Sequence, residues 1–274
     1  MTVATLTEVL ALAEERKAAV AGLVVLGWED ACAYAEAAEE TGIPVVLQAG
    51  PGCRKHMPVL VLGKMFRHLA ERARVPIVCH IDHARTVEEC REGIDCGFTS
   101  VMIDGSALPI EQNIELTAKV VSMARSASVS VEGEVGVVGY SGGAASAVTS
   151  PQEAALFDRY SGADALAISV GNTHLMNEAT AEIDWAALSA IEAVTQLPLV
   201  LHGGSGIPLD VRRELARSRR IRKINIGTGL RRAFGESLRR GLDLNPAVFD
   251  RIELLKATIP DVKRETTRSI LPLW

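Results

Sequence analysis

At 274 residues, 48% hydrophobic and 23% charged, the chain can bury a large core, which excludes a disordered protein. A formal net charge of −5 gives no long-range attraction for nucleic acid or anionic lipid, so neither is an expected partner. Five cysteines (Cys32, Cys53, Cys79, Cys90 and Cys96), odd in number and without paired metal-ligand spacing, fit a reducing, cytoplasmic setting.

Met1 to Leu10 lacks the basic start and apolar run of a signal peptide, and the apolar runs elsewhere are far shorter than the roughly 20 residues that span a bilayer. A soluble protein with no membrane partner is expected. Thr5–Arg16 reads as a first helix. After it, short β-branched runs alternate with helical patterns. Strand Val20–Leu26 precedes helix Glu29–Thr41, Pro44–Gln48 precedes Pro58–Arg74, Pro76–Ile81 precedes Val87–Cys96, and Ser100–Ile103 precedes Ile110–Ser126. Val129–Glu134 then precedes Pro151–Tyr160, Ala165–Val170 precedes Asp184–Thr195, Pro198–Leu201 precedes Leu209–Ser218, and Lys223–Ile226 precedes Gly229–Gly241. Pro246–Ile270 adds further helix. Eight βα units favour a closed (β/α)8 TIM barrel, one domain over residues 1–274, with the extra N-terminal helix plugging the bottom and a C-terminal helical extension.

The small-residue stretch Gly136–Ser150 has neither periodicity and reads as a mobile loop over the C-terminal face. Ionisable residues collect at that same rim. Asp82 and His83 end the third strand, Glu132 and Glu134 the fifth, His174 follows the sixth, and His202 ends the seventh. Three imidazoles with carboxylates nearby suit a catalytic Zn²⁺ with one position open, and iron, manganese or cobalt fit almost as well. His68, on a helix, and His80, read as alternating away from the barrel interior, are assigned to packing or surface. Leu201-His-Gly-Gly-Ser-Gly206 and Asn225-Ile-Gly-Thr-Gly229 place glycine-bearing loops after strands seven and eight, where backbone N–H groups at helix starts can cradle an anion.

Six ordered motifs complete the picture: Ile81-Asp-His83, Ser100-Val-Met-Ile-Asp-Gly-Ser106, Val131-Glu-Gly-Glu-Val-Gly136, Gly171-Asn-Thr-His174, His202-Gly-Gly-Ser-Gly206 and Lys223-Ile-Asn-Ile-Gly-Thr228. Together they resemble the class II, metal-dependent ketose-bisphosphate aldolases, near the fructose and tagatose branch. The resemblance implies zinc on His83, His174 and His202, Glu134 as a further ligand in some states, Asp104 near the metal, and a homodimer or homotetramer. It implies Asp82 as the acid/base that shuttles the proton of the hydroxyl on the carbon that becomes the aldehyde. It also implies that Asn225 holds the enediolate and that Gly203, Ser205, Gly227 and Thr228 contact a phosphate.

Departures from the family pattern bear on the substrate. The first strand lacks the usual asparagine, Leu175 replaces a glycine after His174, and Gly136–Ser150 contains no acid where the family has a proton-carrying glutamate. Glu132, Tyr140 or a metal-bound water would have to substitute. Cys53-Arg-Lys-His56 puts cations at the rim, where they meet either a second anionic group of the substrate or only solvent. The leading expectation is reversible retro-aldol cleavage of a phosphorylated or otherwise anionic ketose other than fructose 1,6-bisphosphate. A metal-dependent sugar isomerase or epimerase using the same enediolate, and a non-catalytic aldolase-like subunit, are the alternatives.

Overall fold

A computed structural model describes residues 2–139, 145–176 and 178–274. Its strands are β1 (Val3–Ala4), β2 (Val20–Val24), β3 (Val45–Ala49), β4 (Ile77–Ala84), β5 (Ser100–Ile103), β6 (Ser130–Val135), β7 (Ala165–Ile168), β8 (Leu199–Leu201) and β9 (Ile221–Ile226). All pair in parallel. Strands β2 to β9 run in order around a closed circuit, sealed where Gly22 of β2 pairs with Asn225 of β9. The expected (β/α)8 barrel is therefore present. β1 joins the bottom of β4, with Val3 opposite Ile77.

Barrel strands are covered on both faces, which is why they read as nearly continuous apolar runs. Outward residues such as Leu47, Ile81, Ile103 and Leu166 pack under the helices. Inward residues Val20, Val46, Val78, Met102, Ala165 and Val200 meet Leu6, Val9 and Leu10 of the first helix, Leu6–Arg16, in a separate apolar cluster. The N-terminal helix thus plugs the bottom as expected. Thr5 and Glu8 start it as a reciprocal capping box, and the Thr7 amide donates to Ser130 Oγ at 3.1 Å. Burying each of those three side chains contributes on the order of 1.5–3 kcal/mol.

Three expectations change. Cys53–His56, read as a basic stretch at the rim with no helix assigned, lies in a short helix, Pro51–His56, because extended Gly50 and Pro51 in its first turn pre-set the entry. The C-terminal extension is two helices, Arg251–Lys256 and Ile259–Ile270, the second packed on helix Trp28–Thr41. The described part of Gly136–Ser150 starts as a ribbon, with Val137 and Ala147 exchanging both backbone hydrogen bonds at 2.9 and 2.8 Å. Tyr140 lies outside the described residues.

Candidate active site

Consecutive residues on a strand point to opposite faces, so Asp82 and His83 should not share a site. β4 solves this with a shift in its register against β5 between Ile81 and Ala84, where His83 takes a φ of +51°. Both side chains then stand at the barrel mouth. Arg54 holds the kink, its guanidinium donating to the carbonyls of Ala49 (2.6 Å), Asp82 (2.5 Å) and His83 (3.2 Å). That cation is a brace for the strand end, neither a waiting substrate ligand nor solvated, whereas Lys55 and His56 are exposed.

His83, on β4, and His202, just past β8, are each gripped from behind by a carboxylate. His83 Nδ1 lies 2.8 Å from Asp104 Oδ2. Asp104 is itself fixed by the Ser106 hydroxyl (2.6 Å), the Ser106 amide (3.1 Å) and Arg85 (3.1 Å). His202 Nε2 lies 3.2 Å from Glu132 Oε1, and Lys223 Nζ donates to Glu132 Oε2 at 2.7 Å. These acceptors fix the tautomers, leaving His83 Nε2 and His202 Nδ1 facing each other at 2.9 Å. Two lone pairs in that position repel unless a cation sits between them.

His174 completes the group, its ring centre 5.4 Å from that of His83 and 5.5 Å from that of His202. Asn172, fully buried, anchors its loop: the side-chain amide donates to the carbonyls of Ile168 (3.3 Å) and His202 (3.1 Å), and its oxygen accepts from Val170 N (2.8 Å). Ligand atoms of His83, His174 and His202 lie within 4.8 Å of one another, as do those of His83, Asp104 and Glu134. Tetrahedral Zn–N bonds of 2.0–2.1 Å need N–N separations of about 3.3 Å, so the triad fits a divalent metal.

The charges agree. Burial works against a proton on His83, but Asp82, Asp104 and Glu134 outweigh it and raise His83 to about 9, so without metal a proton supplies the missing positive charge. Burial and then the His83 charge push His174 down to about 4 and hold His202 well below the usual imidazole range. Burial pushes Glu134 up to about 8. Its Oε2 has no hydrogen-bond partner among the described residues and lies 3.7 Å from His83 Nδ1, so Glu134 adds a second buried carboxylate beside that ring.

A cleft of about 280 Å³ opens over this group, lined by Asp82, His83, His174, Gly203, Asn225 and Thr228 among others. Ser205 and Gly227 also line it, so the expected phosphate contacts converge. Ser205 Oγ accepts from the amides of Gly227 (3.2 Å) and Gly229 (3.1 Å) at the head of helix Thr228–Leu244. Gly203, at φ +68°, must be glycine, since a Cβ would stand 2.2 Å from the Thr173 carbonyl. Leu175 keeps a left-handed backbone, φ +58°, in the position of the family's glycine.

Two expectations are corrected. Glu132 lies beneath the histidines, fully buried, with both oxygens engaged and outside the cleft lining, so it holds His202 and does not replace a loop acid. His80 points into the barrel, not away from it. It shares the face of Asp82 two residues on, bonds Ser100 Oγ at 2.8 Å and lies 4.0 Å from carboxylate oxygens of Asp82 and Glu132. Lys223, Asn172 and Gln48 were not singled out from sequence. Lys223 alternates with Asn225 on β9, and that inward phase was the available signal.

Residues 4–272 match the family model described as fructose-bisphosphate aldolase class-II. A fructose-bisphosphate aldolase of Geobacillus stearothermophilus is 34% identical, covering 97% of each chain. A 6-phospho-5-dehydro-2-deoxy-D-gluconate aldolase of Bacillus licheniformis is 36% identical over 91% of this chain and 87% of its own. The crystal structure of the YdjI aldolase from Escherichia coli K12 superposes with a TM-score of 0.87 at 29% identity, covering 99% of this chain and 97% of the other. With imidazoles from β4, β8 and the loop after β7 converging beside Asp82, the chain belongs to the class-II fructose-bisphosphate aldolase family.

Proposed function

We propose that this class II aldolase uses zinc on His83, His174 and His202 to cleave a phosphorylated or otherwise anionic ketose other than fructose 1,6-bisphosphate. The carrying observation is the convergence of Asp82, the imidazole triad and the glycine-bearing loops of Gly203, Ser205, Gly227 and Thr228 on one cleft. His83, His174 and His202 would hold a divalent ion, which when bound would supply Lewis acidity at the substrate carbonyl. Asp82 takes the proton from the hydroxyl on the carbon that becomes the aldehyde, the adjacent C–C bond breaks, and its electron pair enters the carbonyl-bearing fragment as an enediolate. Asn225, whose side-chain amide atoms have no hydrogen-bond partner among the described residues, would hold that fragment, and Gly203, Ser205, Gly227 and Thr228 its phosphate.

The B. licheniformis relative supports a substrate bearing a carboxylate as well as a phosphate, since its name denotes a phosphorylated gluconate derivative. Five unpaired cysteines support a cytoplasmic setting, and a homodimer or homotetramer is the proposed assembly. Among the described residues no helix is long and apolar enough to cross a membrane.

The test incubates metal-loaded protein with ketose mono- and bisphosphates and acid-bearing sugars, following both cleavage and α-proton exchange. Wild type should cleave at least one, and Asp82→Asn should lose roughly 10²–10⁴-fold in rate. Neither cleavage nor exchange on any member would refute the reading, and proton shifts without aldehyde release would indicate an isomerase.

A further inference from the structure

Beside the metal cleft lies a second, larger cavity of about 780 Å³, and the two share Leu26 and Arg231. Its walls come from the loop after β2, the end of helix Pro51–His56, helix Thr228–Leu244 and the C-terminal helices. Leu26, Trp28, Met57, Phe234, Leu255 and Ile259 make it mainly apolar. Where the two cavities adjoin, Leu26 gives an apolar wall and Arg231 a cation, and Val24 lines the metal cleft beside them in the segment that lacks the family's asparagine.

Charge is arranged unevenly around this cavity. The side chains of Arg231, Arg251 and Lys256 line it, are exposed, and make no hydrogen bond or ion pair among the described residues. Of its two acids, Asp30 is occupied in accepting from the amides of Leu26 (3.0 Å) and Gly27 (3.1 Å), which leaves Glu29. Three exposed cations around an apolar floor, of which Arg231 also feels the Asp30 charge, complement a ligand with an apolar body and an anionic end.

We propose that this cavity receives the half of the substrate released as aldehyde, and that this half is a chain longer than a triose, poor in hydroxyls and ending in a carboxylate or phosphate. Resting on the aldolase reading above, this assigns the distal end: the aldehyde carbon sits by Asp82, the apolar chain passes Leu26, and the terminal anion meets Arg231, Arg251 and Lys256. A bare phosphorylated triose would leave most of the cavity unused. Each methylene buried there should raise acceptor kcat/KM about fourfold.

The experiment runs the aldol reaction in the condensing direction with zinc-loaded enzyme and dihydroxyacetone phosphate, comparing glyceraldehyde 3-phosphate, pentanal and 5-oxopentanoate as acceptors. The expected order places 5-oxopentanoate first, at least tenfold above glyceraldehyde 3-phosphate. Phe234→Ala should shrink the advantage of long over short acceptors, and Arg231→Gln the advantage of 5-oxopentanoate over pentanal. Binding is read separately, with 5-hydroxypentanoate quenching tryptophan fluorescence in wild type and not in Trp28→Phe. Donor α-proton exchange in D₂O without aldehyde monitors the aldolase reading by itself. If exchange occurs but acceptor length has no effect, or no quenching is seen, the inference fails while the aldolase reading stands. If exchange is absent, the aldolase reading itself fails and the inference falls with it, and persistent quenching then reports only a carboxylate-binding cavity. If Phe234→Ala changes the sedimentation coefficient and not the acceptor preference, the cavity is a contact between copies of the chain, and the inference is overturned.

Discussion

Replacing Lys223 with methionine tests how the metal ligands are held. Lys223 and Glu132 are both fully buried, with Nζ and Oε2 at 2.7 Å, and the other oxygen of Glu132 faces His202 Nε2 at 3.2 Å. Methionine conserves volume and removes the charge, leaving a buried carboxylate with only an imidazole N–H for compensation. Breaking such a pair costs about 3–5 kcal/mol, a large part of the roughly 5–15 kcal/mol that stabilises a domain. The metal centre should suffer independently, because outer partners of ligating histidines are worth about 10–100-fold in metal affinity. Urea unfolding of metal-free protein measures the first effect, and zinc competition against a chromogenic chelator the second. Lys223→Met with Glu132→Gln removes the orphaned charge and should recover most of the stability but not the zinc affinity. A Lys223→Met protein within about 1 kcal/mol of wild type, binding zinc equally well, would refute the claim that this pair orients His202.

Leu175→Gly relieves about 1–2 kcal/mol of left-handed strain and gives back about 0.4–1 through the freer unfolded chain, so stability should rise by roughly 0.5–1 kcal/mol. Inorganic phosphate should then inhibit more tightly, because Leu175 lines the cleft. Gly22→Ala sets a Cβ 1.6 Å from Gln48 Oε1 and 2.3 Å from Asn225 Oδ1, so denaturant unfolding should show a loss of about 1–3 kcal/mol. Chelation should lower the melting temperature, since zinc at 100 times its Kd adds about 2.7 kcal/mol, or roughly 5–10 °C for a chain of this size. An unchanged melting temperature in zinc and in chelator would count against the metal site.

The barrel was legible because its strands are bounded apolar runs separated by helical patterns, and because Leu6, Val9 and Leu10 mark an inward face on the first helix. Chemistry was legible where ionisable residues interrupt those runs at their C-terminal ends. The phase of a residue next to a bulge was not. Strand alternation alone sends His83 outward from Asp82, and only the register shift against β5 unites them. The same uncertainty of phase misplaced His80. Arg54 was misread for another reason: a basic residue in a loop-like stretch carries no sign that the carbonyls of three residues on two strands will claim it.

The departures from the family pattern fall unequally on the two ends of the cleft. At the phosphate end, Leu175 replaces a glycine, yet φ stays at +58°, because the His174 amide is tied to the Gly139 carbonyl at 2.8 Å and the Thr173 carbonyl is pinned where Gly203 passes it. Backbone geometry there is set by neighbours, so the side chain could change without moving the Ser205–Gly227 cradle. At the opposite wall the backbone is fixed as well, by β3 beside Val24 and by Asp30 on the Leu26 amide at 3.0 Å, but there the side chains of Val24 and Leu26 change the chemistry of the wall itself, beside an apolar cavity. A site that keeps the three imidazoles, Asp82 and the Gly203–Thr228 side of the cleft while altering the opposite wall is, on the proposal above, one that keeps its reaction and changes its aldehyde. For that reason acceptor chain length, more than phosphate recognition, is the variable on which this enzyme should part from the fructose-bisphosphate aldolases it resembles.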